Sequence, residues 1–217
     1  MRVAGYAVLC RIIGLRIRVD GEISRERPLL LVSNHISYLD IFVLGWKTTA
    51  CFTPKSEVAG WAVVSTICRL LDCVFIERRS AKIKSGGNDI KTALASGEIV
   101  SLFPEGTTGN GRHPLPFKSS LLSIAEEKID GKELWIQPAV IRYTHIGQLP
   151  IDSTQWPSIA WYGDMLLAPH LWELLKLPKI DATLTLLPAV TCAQLGNRKQ
   201  LTAHLQQATS DILATSS

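Results

Sequence analysis

The sequence predicts a single α/β domain over residues 1–217, a mostly parallel or mixed central sheet covered by helices on both faces. Three observations predict it. Short apolar runs of strand length alternate with helical stretches along the chain, the order expected of helices layered on a sheet. Those runs are nearly continuous in Val, Ile, Leu and Phe, as strands buried on both faces must be. The composition is that of a folded chain: of 217 residues, 47% are hydrophobic and 19% charged, with 15 Gly and 11 Pro scattered without period. This excludes disordered, collagenous and coiled-coil classes. At this length a domain buries about 70% of the surface its unfolded chain exposes, so no disulfide is required.

Taken in order, residues 1–20 mix apolar side chains with Arg2, Arg11, Arg16 and Arg18. Arg11 interrupts the apolar run too early for a signal peptide, and Leu9 precedes Cys10 where a lipoprotein site needs a small residue. Two readings stand: a segment lying in a membrane interface beside anionic headgroups, or a helix followed by a strand packed on the core. Strands are then predicted at Leu29–Val32, Cys51–Thr53, Cys73–Ile76, Ile99–Phe103, Trp135–Val140, Ile159–Trp161 and Ala182–Leu187. Helices are predicted at Leu39–Trp46, Glu57–Leu71, Asn88–Ser96 (closed by Gly97) and Leu121–Ile129 (closed by Gly131), with Gln148–Pro157 a loop. The stretch from Trp161 to Leu175 is the densest in apolar and aromatic residues. It reads as a core-packing helix, or as a wall facing an acyl chain or a membrane. Leu201, Leu205, Ala208 and Ile212 mark one face of a final helix.

Mean hydropathy is +0.17, yet no run of about 18 uncharged apolar residues occurs, the length a spanning helix needs. The five cysteines form no Cys-x-x-Cys pair and suit a reducing compartment. The 23 Lys and Arg exceed the 19 Asp and Glu without any dense basic run, which argues against a nucleic-acid partner.

Three segments carry chemistry. His35 follows the apolar strand LLLV, and Asp40 comes five residues later. Five residues along a regular helix turn through about 500°, so the two cannot share a helical face. With His35 in the turn and Asp40 in the first helical turn, the carboxylate can fold back onto the imidazole. It then fixes the tautomer and leaves the other nitrogen as a general base. A histidine at a strand end is also commonly structural. Second, Phe103–Arg112 (FPEGTTGNGR) places Glu105 at a strand exit before three glycines, a turn able to present N–H groups to an oxyanion or phosphate, or simply a solvated loop tip. Third, Glu77-Arg78-Arg79 ends another strand, with Lys55 just beyond the strand before it; arginine forks bind phosphate. No Gly-x-Ser-x-Gly elbow, P-loop, Gly-x-Gly-x-x-Gly or zinc spacing occurs. A His–Asp pair without a nucleophile points to direct attack by a substrate hydroxyl.

In this order, the segments resemble the glycerophospholipid acyltransferase family, which includes 1-acylglycerol-3-phosphate acyltransferases. Asn34-His35-x4-Asp40 is similar to its first block, Phe75-Ile76-Glu77-Arg78 to its second, Phe103-Pro104-Glu105-Gly106-Thr107 to its third and Ile136-Gln137-Pro138-Ala139-Val140 to its fourth. The likeness spans residues 28–142. It implies an α/β enzyme without a cofactor or metal, moving an acyl group from acyl-CoA or acyl carrier protein to a lysolipid. That enzyme would work at the cytoplasmic face of the inner membrane, held peripherally or through its N-terminal region. His35 and Asp40 would be catalytic, and Asn34, Lys55, Arg78, Glu105, Gly106, Thr107 and Pro138 substrate-binding. Thr108 stands where the third block often carries Arg, and Asp72 where the second often carries Gly. Both touch the acceptor site; the acceptor the resemblance implies first is lysophosphatidate, giving phosphatidate in phospholipid biosynthesis, with lyso-ornithine lipid the alternative through likeness to bacterial members. A non-catalytic lipid- or acyl-CoA-binding module is the reading from another class.

Overall fold

The computed structural model describes residues 2–52 and 83–215. Its first helix, α1 (Arg2–Ile13), passes through Gly14 at φ +77° into β1 (Leu15–Asp20), so the segment is a helix followed by a strand. Tyr6, Cys10 and Ile13, spaced 4 and 3, are buried, while Val8 and Ile12 on the other face, and Val3 in the first turn, are exposed. The buried stripe packs on α2 (Leu39–Thr48), where Gly45 lies directly under the Tyr6 ring; a Cβ there would sit 2.4 Å from it.

The main sheet is mixed, as expected. Its strands run in the order β1, β9 (Ile180–Leu186), β7 (Trp135–Ile146), β2 (Leu29–Ser33), β4 (Val100–Leu102) and β3 (Cys51–Phe52). The spine is β7. Its first half pairs parallel with β2, from Leu29↔Trp135 to Ser33↔Ala139, and its second half antiparallel with β9. The strand therefore continues six residues past the Val140 limit expected from the apolar run, because β9 pairs with it as far as Ile146. Two short strands, β8 (Leu149–Pro150) and β10 (Val190–Thr191), also join β7. One face of the sheet is covered by α1 and α2, with Tyr6, Leu39, Val43, Leu44 and Ile141 buried together. The other face packs Leu30, Val32 and Ile136 against Leu94 of α3 (Ile83–Ala95) and Leu201 and Leu205 of the final helix, Arg198–Ala214.

Some expectations need correction. Leu121–Ile129 is not an α-helix: a kinked 3₁₀ segment, Ser119–Glu126, leads into a hairpin of β5 (Lys128–Ile129) and β6 (Lys132–Glu133). Asp130 and Gly131 both have positive φ, 49° and 77°, the conformation a two-residue hairpin turn requires, so Gly131 is a turn residue and not a helix stop. Ile159–Trp161 is not a strand. It follows a 3₁₀ turn, Trp156–Ser158; Ile159 and Ala160 are buried without ladder pairing among the described residues, and Trp161 N–H donates to Ile36 C=O at 3.0 Å. The core-packing reading of the apolar stretch also fails. Its helix, α4 (Leu167–Leu174), buries Leu174 alone, with Leu166 72% and Trp172 65% exposed. The expected elements Glu57–Leu71 and Cys73–Ile76 lie outside the described residues.

Candidate active site

The site is built where β2 leaves the sheet. Asn34 follows its last residue, and its carboxamide donates to Ile141 C=O and accepts Ile141 N–H, both at 2.9 Å. The side chain thereby pairs with β7 as one more strand residue would, and fixes the point at which the chain turns away. Asp40 is the second residue of α2 and fully buried. Its Oδ2 accepts from Ile36 N–H (2.7 Å), Ser37 N–H (2.9 Å) and His35 Nδ1 (2.8 Å), and its Oδ1 from the Tyr143 hydroxyl (2.7 Å). Backbone N–H groups at a helix start favour a negative charge there. An ionised carboxylate only accepts, so Nδ1 carries the proton and Nε2 of the neutral ring presents a lone pair. Nε2 has no hydrogen-bond partner among the described residues. The His35 side chain is 18% exposed, and its ring stacks on Phe103 at 3.9 Å.

Glu105 holds the backbone of the same histidine. It is 2% exposed; Oε1 accepts His35 N–H at 2.9 Å and Oε2 accepts Leu115 N–H at 3.0 Å. Gly109 N–H donates to His35 C=O at 2.8 Å, so that N–H is not available to an anion. Burial pushes the Glu105 carboxyl up to about 7, partly offset by its two N–H donors, with the nearby Asp40 charge adding to the rise. Asn34, His35, Glu105, Gly109, Gly111 and Leu213 line a small cavity at this point. Among the described residues no group of three or more His, Cys, Asp or Glu could hold a metal ion.

The structure thus brings His35 and Asp40 into contact and sets Asn34 and Glu105 beside them, both engaged with backbone. Gly106, at φ +73°, and the exposed Thr107 form the adjoining turn. Pro138 is not brought to this cavity: it is buried within β7 opposite Val32. Arg112 donates to Ser153 C=O at 2.8 Å. Lys55 and Arg78 lie outside the described residues. Sequence reasoning missed Tyr143 and the Phe103 stack. Alternation along β7 puts Ala139, Ile141 and Tyr143 on one face, so a strand read to its full length would have aimed Tyr143 at α2.

A sheet whose parallel strands deliver a histidine held by a buried aspartate places the chain first by fold. It aligns with the crystal structure of the 1-acyl-sn-glycerophosphate acyltransferase PlsC from Thermotoga maritima at TM-score 0.70 and 17% identity, over 99% of this chain and 77% of that one. The family model described as Acyltransferase matches residues 16–142. A lyso-ornithine lipid O-acyltransferase of Rhizobium meliloti is 38% identical over 206 residues, 93% of this chain and 70% of the relative. A 1-acyl-sn-glycerol-3-phosphate acyltransferase of Neisseria meningitidis serogroup B is 28% identical over 97% of this chain and 79% of that protein. The chain belongs to the Acyltransferase family.

Proposed function

We propose that the enzyme transfers a fatty acyl group from an acyl thioester, carried by CoA or acyl carrier protein, to the hydroxyl of a lysolipid. His35 Nε2 removes the hydroxyl proton as the oxygen attacks the thioester carbonyl. The imidazolium that forms is stabilised by Asp40, and its proton passes to the departing thiolate. The carrying observation is the 2.8 Å contact between His35 Nδ1 and the buried Asp40 carboxylate, which leaves Nε2 as the free base. General base catalysis contributes about 10² to 10⁴-fold, positioning and oxyanion stabilisation the remainder. No cofactor enters this scheme.

The higher identity to lyso-ornithine lipid acyltransferase than to the lysophosphatidate enzyme favours lyso-ornithine lipid as acceptor. Arg78 is proposed as an anion ligand by motif likeness and Lys55 from its sequence position just past a predicted strand, with Gly106 and Thr107 beside the acceptor. The purified enzyme, given one long-chain acyl donor, should release thiol with lyso-ornithine lipid faster than with lysophosphatidate. Sequestration of acyl-CoA without turnover would instead identify a binding module. His35→Ala should lower kcat at least 10²-fold in a folded protein; full activity in that variant would end the base assignment.

No helix among the described residues is long and apolar enough to cross a membrane. The exposed Ile12 of α1 and Leu166, Trp172 and Leu175 at α4, near Arg11, Lys176 and Lys179, support contact with a bilayer surface carrying anionic lipid.

A further inference from the structure

We infer that Tyr143 is a positioning residue for the acyl transfer: its hydroxyl, held to Asp40 Oδ1, locks the carboxylate that orients His35. The inference rests on His35 acting as base. Asp40 sends all its contacts to the histidine turn through one oxygen, since Ile36 N–H, Ser37 N–H and His35 Nδ1 all meet Oδ2. A carboxylate held through one oxygen alone can still swing about that oxygen and tilt the imidazole. The 2.7 Å bond from Tyr143 to Oδ1 removes this freedom, and among the described residues nothing else bonds Oδ1.

The donor is suited to the role. Tyr143 stands on β7, 103 residues from Asp40, so the bond ties the catalytic turn to the central strand of the sheet and not to a neighbouring loop. Its neighbours on β7 are fixed too: Asn34 clamps both backbone groups of Ile141, two residues away. The ring is 2% exposed, and burial, then the Asp40 charge, hold the phenol proton well above its ordinary range. The hydroxyl is therefore a permanent donor.

Tyr143→Phe removes only the hydroxyl oxygen. The expected result is a kcat lowered about 3- to 30-fold per folded molecule, with KM for donor and acceptor within twofold of wild type. Without the phenol, more of the carboxylate charge falls on Oδ2 and stabilises the imidazolium, so the acid limb of kcat/KM should move to higher pH. In the Asp40→Asn background the same change should alter kcat less than twofold, because its route to the histidine is already broken. Wild-type kcat in Tyr143→Phe, whatever its Tm, overturns the inference while leaving the base assignment to His35→Ala. An active His35→Ala overturns both. Should Tyr143→Phe not fold, 3-fluorotyrosine placed at 143 keeps the ring and strengthens the donor. It should move the acid limb to lower pH, and an unmoved limb overturns the inference.

Discussion

Glu105 has both oxygens on backbone donors and lies beside the proposed base, and its charge has a calculable cost. Its folded carboxyl titrates at about 7 against an ordinary 4.5. The folded state therefore holds this proton more tightly than the unfolded chain does. The group's stabilising contribution is complete below about pH 4.5 and is lost as pH rises through about 7. Across that window the loss amounts to about 3 kcal/mol at 1.36 kcal/mol per pH unit. Urea unfolding at pH 5 and pH 8 should show wild type losing stability by an amount that Glu105→Gln does not lose; parallel changes in both proteins would refute the assignment. At this scale the His35–Asp40 pair was legible, since five residues and a strand end are local information. The roles of Glu105 and Tyr143 were not, because their partners lie 70 and 103 residues away and depend on how strands register.

Among the elements, the contact of α1 on α2 turns on a missing side chain. Gly to Ala inside a helix ordinarily gains up to about 1 kcal/mol from propensity. At Gly45 the new Cβ would meet three atoms of the Tyr6 ring at 2.4–2.7 Å, and that ring is fully buried. Overpacking costs about 1–3 kcal/mol, so the clash wins. Gly45→Ala should lower Tm by several degrees, and a raised Tm in thermal unfolding would show that α1 moves aside at no cost. Elements with a clean pattern, such as β2 and the final helix, were legible from apolar runs and spacing. The hairpin at 128–133 was less legible, because a glycine after an apolar run marks a helix stop as readily as a turn, and only the Asp130–Gly131 pair distinguishes the two. The apolar residues from Leu166 to Leu175 misled for another reason: hydrophobicity reports distance from water, and a residue can leave water by meeting lipid as well as core.

In the molecule as a whole, the chain leaving α1 meets the chain that follows α4. Ile180 N–H bonds Gly14 C=O just after α1, and Lys179 C=O accepts Gly147 N–H at the turn into β8, so three chain segments meet at one end of the sheet. Exposed Ile12, Leu149 and Leu175 belong to these segments. Binding to vesicles containing anionic lipid should fall at least tenfold for Ile12→Glu combined with Trp172→Glu, with Tm unchanged, as measured by sedimentation; undiminished binding would refute the bilayer contact proposed for these residues. The sheet's edge carries a different consequence. Among the described residues β1 pairs with β9 alone, and the exposed Arg16–Asp181 pair that spans them joins residues 165 apart. At roughly 5–20 residues per second of synthesis, β1 waits on the order of 10–30 s for its partner. During that interval its unpaired N–H and C=O groups form an open template for strand pairing with other chains. Arg16, Arg18 and Asp20 spaced along it are then the nascent chain's protection against aggregation, a task distinct from anything the finished enzyme asks of them.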